Sequence, residues 1–291
     1  MCRLSLLLAI FLGLASPAVA EDFPYPPIST IPPAPPGPPR YATVGPATFT
    51  RWSGFYFGGQ FGLGNGNADF SGATQGGVAY TLRNTYLESD FTPSQWPVLG
   101  TANTSALSYG GFVGYNTQWQ DLILGIELNI NYSTLSLNAP NSPLSRTTSA
   151  DSAGDAYALL LSGAGSVTNI DTATLRARAG YVVGSFLPYG FAGPAVALAN
   201  VSVSSTLSGI QYTSGTVGTC SGAQPCTPFS FTSSSVKNME VLYGFAVGAG
   251  VDIAVTQNIF VRAEVEWDQF NPPPGILMTI ATARVGAGLK F

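Results

Sequence analysis

Glu264, Glu266 and Asp268 alternate along "NIFVRAEVEWDQF", next to Arg262. On an extended chain residues two apart share a face, so these acids would stand in one row. Carboxylates so close together do acid–base chemistry when their surroundings drive their proton affinities apart. The opposite charge is also present: Arg176 and Arg178 in "TATLRARAGYVV" and Arg284 in "TARVGAGLKF", with Glu127 in "DLILGIELNINYS". Two readings meet here, an acid–base centre and an interior ion-pair network. The chain has no histidine, which removes mechanisms that need His as general base beside Ser or Asp. The expectation is therefore an ion-pair network in a protein that is not an enzyme. The same absence excludes an axial histidine for haem, and neither cofactor nor metal is expected.

Cys220 and Cys226, in "GTCSGAQPCTP", are the other candidates for chemistry. A redox or metal pair is the sharper alternative, but only two ligands are in view. An even pair six apart in an exported chain reads as a disulfide-closed loop. "GLGNG" and "GAG" are too short and lack the strand-to-helix context of a phosphate-binding loop.

Export is read from the first residues, "MCRLSLLLAIFLGLASPAVAED". Arg3 is followed by an apolar run and by Ala18-Val19-Ala20, so residues 1–20 form a signal peptide cut between Ala20 and Glu21. Residues 21–51, with "PPAPPGPP", form a Pro-rich linker that cannot bury a core. No later run is long and apolar enough for a membrane helix. Yet the chain is only 9% charged, with a mean hydropathy of +0.24, against roughly 25% charge in ordinary soluble domains. An exported, apolar chain without a membrane helix points to a membrane barrel. A net charge of −4 leaves no footprint for nucleic acid.

The charged residues lie on segments of alternating polarity, eight of them from Trp52 onward. In "DLILGIELNINYS", Leu122, Leu124, Ile126, Leu128, Ile130 and Tyr132 face one way; Glu127, Asn129 and Asn131 face the other. The remaining segments repeat this, apart from "PYGFAGPAVALANVSV", where both faces are small and apolar. Long and short connections alternate, as in outer-membrane barrels. The expected fold is all-β: an eight-stranded antiparallel up-and-down transmembrane β-barrel over residues 52–291, with long extracellular loops and short periplasmic turns. Its interior is only just wide enough for side chains to fill. The glycines and charged groups are expected there, with Glu127, Arg176, Arg178, Arg262, Glu264, Glu266, Asp268 and Arg284 paired across it. The bulky faces are expected against lipid. Trp52, Tyr115, Trp119, Tyr181, Tyr189 and Phe291 would ring one interface, Tyr132 and Trp267 the other.

The blocks "WSGFYFGGQFGLG", "GGFVGYNTQWQDLILGIELNINYS", "TLRARAGYVVGSFLPYGFAGPAVA", "GFAVGAGVDIAVTQNIFVRAEVEWDQF" and "ARVGAGLKF" resemble the small outer-membrane immunogenic, porin-like proteins of alphaproteobacteria, relatives of the OmpA-type eight-stranded barrel. The resemblance covers about residues 52–291, the long loops excepted. It implies an abundant protein of the Gram-negative outer membrane, its N-terminus periplasmic, supporting envelope integrity and exposed to host immunity. Its partners would be outer-membrane lipid, lipopolysaccharide and the barrel-assembly machinery, the last reading the terminal Phe291. A monomer is expected. The Pro-rich lead and the loops are longer than the pattern suggests, and no peptidoglycan-binding domain is expected. Two functional classes stay open: a structural surface barrel with a plugged lumen, or a narrow pore or receptor that binds a small ligand or host surface through its loops.

Overall fold

The computed structural model describes residues 51–213, 215–222, 225–272 and 275–291. Ten antiparallel strands build one sheet: β1 (Gly54–Asp69), β2 (Thr101–Trp119), β3 (Leu122–Ser133), β4 (Ser136–Asn138), β5 (Leu144–Thr147), β6 (Ala156–Tyr181), β7 (Phe186–Tyr212), β8 (Cys226–Ala254), β9 (Ile259–Phe270) and β10 (Leu277–Lys290). Eight of them close a ring, running β1, β2, β3, β6, β7, β8, β9, β10 and back to β1. The short β4 and β5 stand outside that ring and pair with β6. The signal peptide with its Ala20–Glu21 cut, and the Pro-rich segment up to residue 50, lie outside the described residues.

Alternation sorts the two faces. Phe55 is 64% exposed and Ile126 63%, whereas their inward neighbours Tyr56 and Glu127 are each 2% exposed. Phe57, Phe61, Leu63, Leu107, Tyr109, Val247, Val265 and Val285 also look outward. The greasy side of the sheet is the outside of the ring. Three connections at one rim are short: Gln120–Asp121, residues 182–185 and residues 255–258. Gln120 and Gly184 both take positive φ there, as tight antiparallel reversals require.

At the other rim the structure departs from expectation in two ways. First, β6, β7 and β8 contain 26, 27 and 29 residues, although a tilted membrane strand needs only about 9–11. Much of what reads as loop is strand continuing past the band. Its Ser, Thr and Gly give weak alternation, so periodicity does not register it. Second, the connection between β1 and β2 is a folded cap. It holds helices α1 (Gln75–Thr81) and α2 (Tyr86–Phe91) and a single 3-10 turn over Pro93–Gln95. Thr85 accepts from the Glu88 N–H at 3.3 Å, an N-cap of the Thr-x-x-Glu type. The Glu88 carboxylate then takes bonds from the Ser94 hydroxyl and from its N–H. Phe70, Val78, Leu82, Leu87, Trp96, Val98 and Leu99 are buried under the tall strands, against Leu159, Leu161, Val203 and Leu207. Full burial of each Leu or Phe contributes about 1.5–3 kcal/mol, and the same apolar cluster continues down to Leu242, Ala246, Phe270 and Ile280 on the ring strands.

Two of the expected interface aromatics are not there. Trp52 and Tyr189 are 3% and 6% exposed and lie inside the ring. Tyr115, Trp119, Tyr181, Phe291 and Trp267 do face outward. Tyr189 stands on the segment whose two faces are both apolar, where alternation gives no direction. Trp52 lies before the first strand residue.

Candidate functional site: a filled lumen

The interior is stacked in layers. Nearest the turn rim is an apolar plug of Trp52, Phe112, Ile123, Val182, Leu187, Phe191 and Phe260. Lys290 sits beneath it, its ammonium 4.2 Å from the centre of the Trp52 ring and donating to the Arg51 carbonyl at 2.8 Å.

Above and among these rings lie the charges. Glu127 on β3 receives Arg262 at 2.8 Å, Arg178 at 3.1 Å and Arg176 at 3.4 Å. The Tyr56 hydroxyl donates to Glu127 at 2.9 Å and accepts from Arg178 at 2.9 Å. Asp252 on β8 binds Arg178 at 2.7 Å and Arg262 at 2.8 Å. One layer further, Glu264 takes Arg176 at 2.7 Å, Arg284 at 3.0 Å and the Tyr189 hydroxyl at 3.0 Å. Glu266 pairs with Arg176 and with Arg284. The guanidinium groups also stack on rings: Arg178 lies 3.8 Å from the Tyr189 centroid, Arg262 4.0 Å from Phe112 and Arg176 4.2 Å from Phe191. Next come amides, with Gln60 donating to Asn129 at 3.0 Å and to Asn131 at 2.6 Å. The apolar core under the cap closes the stack.

All eight residues read from the sequence as lumen charges are inside and almost fully buried. Seven of them share ion pairs. Asp268 is buried beside Glu266, but among the described residues no ion pair reaches it, and its Oδ1 lacks a hydrogen-bond partner. Asp252, Tyr56 and Tyr189 belong to the network and are missing from the sequence-derived set. Asp252 falls on the polar side of its segment among glycines, so the signal was present. Its two arginines sit on other strands, and sequence alone gives no register between them.

The inward glycines have a job beyond small size. A Cβ at Gly248 would fall on the Phe191 ring, one at Gly250 on Tyr189, one at Gly114 on Tyr56 and one at Gly58 on Phe112. Each glycine lies on a strand adjacent to its ring, and the ring occupies the space that a side chain there would need. Only by that means can four arginines and so many aromatics share a ring of eight strands.

The other candidates are more local. Cys220 and Cys226 form a disulfide, Cα atoms 5.7 Å apart, closing the connection between β7 and β8. Phe291 seals the β1–β10 seam: its N–H donates to the Phe55 carbonyl at 2.9 Å and its ring stacks on Phe57. The large concave surfaces are outside. One groove of about 790 Å³ is floored by Ala249, Ala263 and Ala283 and walled by Phe61, Leu63, Leu107 and Val265, all on the outward, apolar face.

Residues 42–291 match the family model described as the outer membrane protein beta-barrel domain. The chain belongs to this family. The outward apolar face of this outer-membrane β-barrel is therefore the lipid-facing band. No curated protein matches the chain. Among solved structures, Ail, the attachment invasion locus protein of Yersinia pestis, is 12% identical with a TM-score of 0.32, over 82% of this chain and 99% of Ail. Neisserial surface protein A is 16% identical at 0.33, over 82% and 98%. The N-terminal β-barrel domain of Pseudomonas aeruginosa OprF is 12% identical at 0.33, again over 82% and 98%.

Proposed function

We propose that this outer-membrane barrel is a structural surface protein with a closed lumen, supporting the integrity of the envelope. The reading places it among the small immunogenic, porin-like barrels of alphaproteobacteria, OmpA-type in architecture. In this orientation the short-turn rim and the N-terminus face the periplasm, and the cap and tall strands are exposed to host immunity. Lipid and lipopolysaccharide surround it, the assembly machinery reads Phe291, and it works as a monomer.

One observation carries the closed lumen: a buried arginine–carboxylate network lies between two apolar layers. An ion would have to separate desolvated pairs, and breaking one by loss of a partner costs about 3–5 kcal/mol. Purified protein in planar lipid bilayers should give no single-channel steps. Steady steps that vanish when Glu264 and Arg176 are both neutralised would overturn the reading.

A second reading, adhesion through the outer loops, is favoured by the folded cap. Tyr80 and Tyr86 are exposed there, and the Arg83 guanidinium lies 4.0 Å from the Tyr80 centroid. Replacing residues 76–90 by a short linker should abolish binding of the purified protein to host cells if this reading holds.

A further inference from the structure

The four arginines of the lumen differ in one respect. Arg176 donates through Nε to the Thr174 hydroxyl at 2.8 Å, and Arg262 through Nε to Asp252 at 2.8 Å. In Arg178 and Arg284 the outer nitrogens are bonded to carboxylates, yet the buried Nε of each meets no acceptor within the protein.

These two donors share a setting. β2, β3 and β6 place Asn116, Gly125 and Arg178 side by side. β2, β1 and β10 do the same with Ser108, Gly62 and Arg284. Each time a bare glycine separates the arginine from a polar side chain on the far strand. A Cβ at Gly125 would fall 2.3 Å from Asn116 Oδ1 and 3.3 Å from Arg178 Cγ, and one at Gly62 would fall 2.7 Å from Arg284 Cγ. The side chains lean in over the glycine. Asn116 Oδ1 and Ser108 Oγ, opposite the arginines, are likewise without a partner within the protein. All four side chains belong to residues between 2% and 6% exposed, where an unmet polar group is costly.

We propose that each of these pairs holds one internal water molecule, bonded between the arginine and the polar side chain across the glycine. The water accepts from the Nε–H of Arg178 and donates to Asn116 Oδ1; its counterpart accepts from the Nε–H of Arg284 and bonds the Ser108 hydroxyl. A ligand placed between a donor and an acceptor must both accept and donate, which water does. A cation would face the Nε–H and a guanidinium charge. An anion would face the Asn116 oxygen, in a lumen where Glu127, Asp252, Glu264, Glu266 and Asp268 outnumber the arginines. The two waters are separate and individually held, so the proposal does not rest on whether the lumen conducts. A conducting lumen would instead bring solvent to all four arginines.

The test is water-selected nuclear Overhauser transfer in protein folded in detergent with isotope-labelled arginine. Contacts to the rings of Tyr189, Phe112 and Phe191 identify Arg178, Arg262 and Arg176, which leaves Arg284. The Nε–H of Arg178 and that of Arg284 should each give a cross-peak at the water frequency. In the rotating frame the sign of both should oppose the diagonal, the mark of a held molecule and not of hydrogen exchange. Arg176 and Arg262 should give none, and Arg176, whose Nε–H lies against a hydroxyl, also controls for transfer relayed through one. Asn116→Leu removes the acceptor at similar size; it should abolish the Arg178 peak and leave the Arg284 peak. Peaks at all four arginines, no peak at Arg178 or at Arg284, peaks of exchange sign only, or an Arg178 peak that survives Asn116→Leu would each overturn the proposal. The comparison of the four arginines in the unaltered protein decides it even if that variant does not fold.

Discussion

At the scale of single residues, Glu127 has the most to lose. It accepts from three arginines and a tyrosine with 2% of its surface exposed. Glu127→Ala leaves several guanidinium donors buried without a counter-charge, so urea unfolding in detergent should show a loss of about 3–5 kcal/mol. The pair Lys237–Glu240 has a similar separation, 3.0 Å, but stands half in solvent; Lys237→Ala should change stability by less than about 1 kcal/mol. Geometry and burial, not distance, separate the two outcomes. The sequence makes most of these residues legible, because a charge on the polar face of an alternating strand has nowhere to go but inward. It does not make the partners legible. Arg178 meets Asp252 from a different strand, and that depends on stagger around the ring, which no single strand encodes. Asp268 carries the opposite lesson: its position was readable, but its lack of an ion pair was not.

At the scale of elements, the cap is held by bonds outside the membrane band, and these titrate. Asp90 accepts from the Ser152 N–H and hydroxyl, each at 2.8 Å, and from Ser89. Those bonds, the Ser152 backbone first, hold its carboxyl below the ordinary Asp value. A group depressed on folding stabilises above its unfolded pKa, about 3.9, and that contribution is lost as pH falls through the lower folded value. Limited proteolysis of the cap should therefore rise in strong acid, and Asp90→Asn should blunt the change. Tyr157 works in the other direction. Burial, then its bond to Asp151 at 2.9 Å, raises its phenol above the ordinary Tyr value. Its contribution is complete below the unfolded pKa of about 10 and fades as pH climbs towards the raised value, so the β5–β6 connection, whose Ser152 holds Asp90 of the cap, should loosen in alkali, less so in Tyr157→Phe. Inside the cap, Phe70→Ala should cost about 3–5 kcal/mol and speed proteolysis of residues 71–99 without altering the barrel's unheated gel mobility. None of this was visible in the sequence as a unit. The buried residues of the cap follow neither the period of two nor that of 3.6, because short helices and turns each contribute one or two side chains. The tall ends of β6, β7 and β8 were obscured for another reason: Ser and Thr alternate with one another, which is no alternation at all.

At the scale of the whole molecule, closure of the ring is the decisive event. The β1–β10 seam joins residues more than two hundred positions apart, Tyr56 opposite Lys290 at one end and Asp69 opposite Leu277 at the other. Such a contact forms only after a long loop has been closed, and its cost must be met before it gives any return. Deleting Phe291 removes a backbone bond at that seam, about 0.5–1.5 kcal/mol, and should slow the appearance of the compact band when urea-unfolded protein is diluted into liposomes. The overall architecture was legible because lipid is an exacting solvent that forbids charge on a whole face. The filling of the interior was less so, since many arrangements of the same side chains satisfy that rule. The seating of Phe191 on Gly248 and of Tyr189 on Gly250 has a consequence for how such an interior can change. The bare backbone is the stricter half of each pair, hemmed in by the ring on one side and by a carbonyl oxygen of β9 on the other. A methyl group gained at position 248 meets both the Phe191 ring and the Val265 carbonyl oxygen, so shrinking residue 191 alone makes no room for it. Descendants of this chain should therefore keep these glycines whatever becomes of the rings, and libraries that vary both positions will recover changes only at the ring.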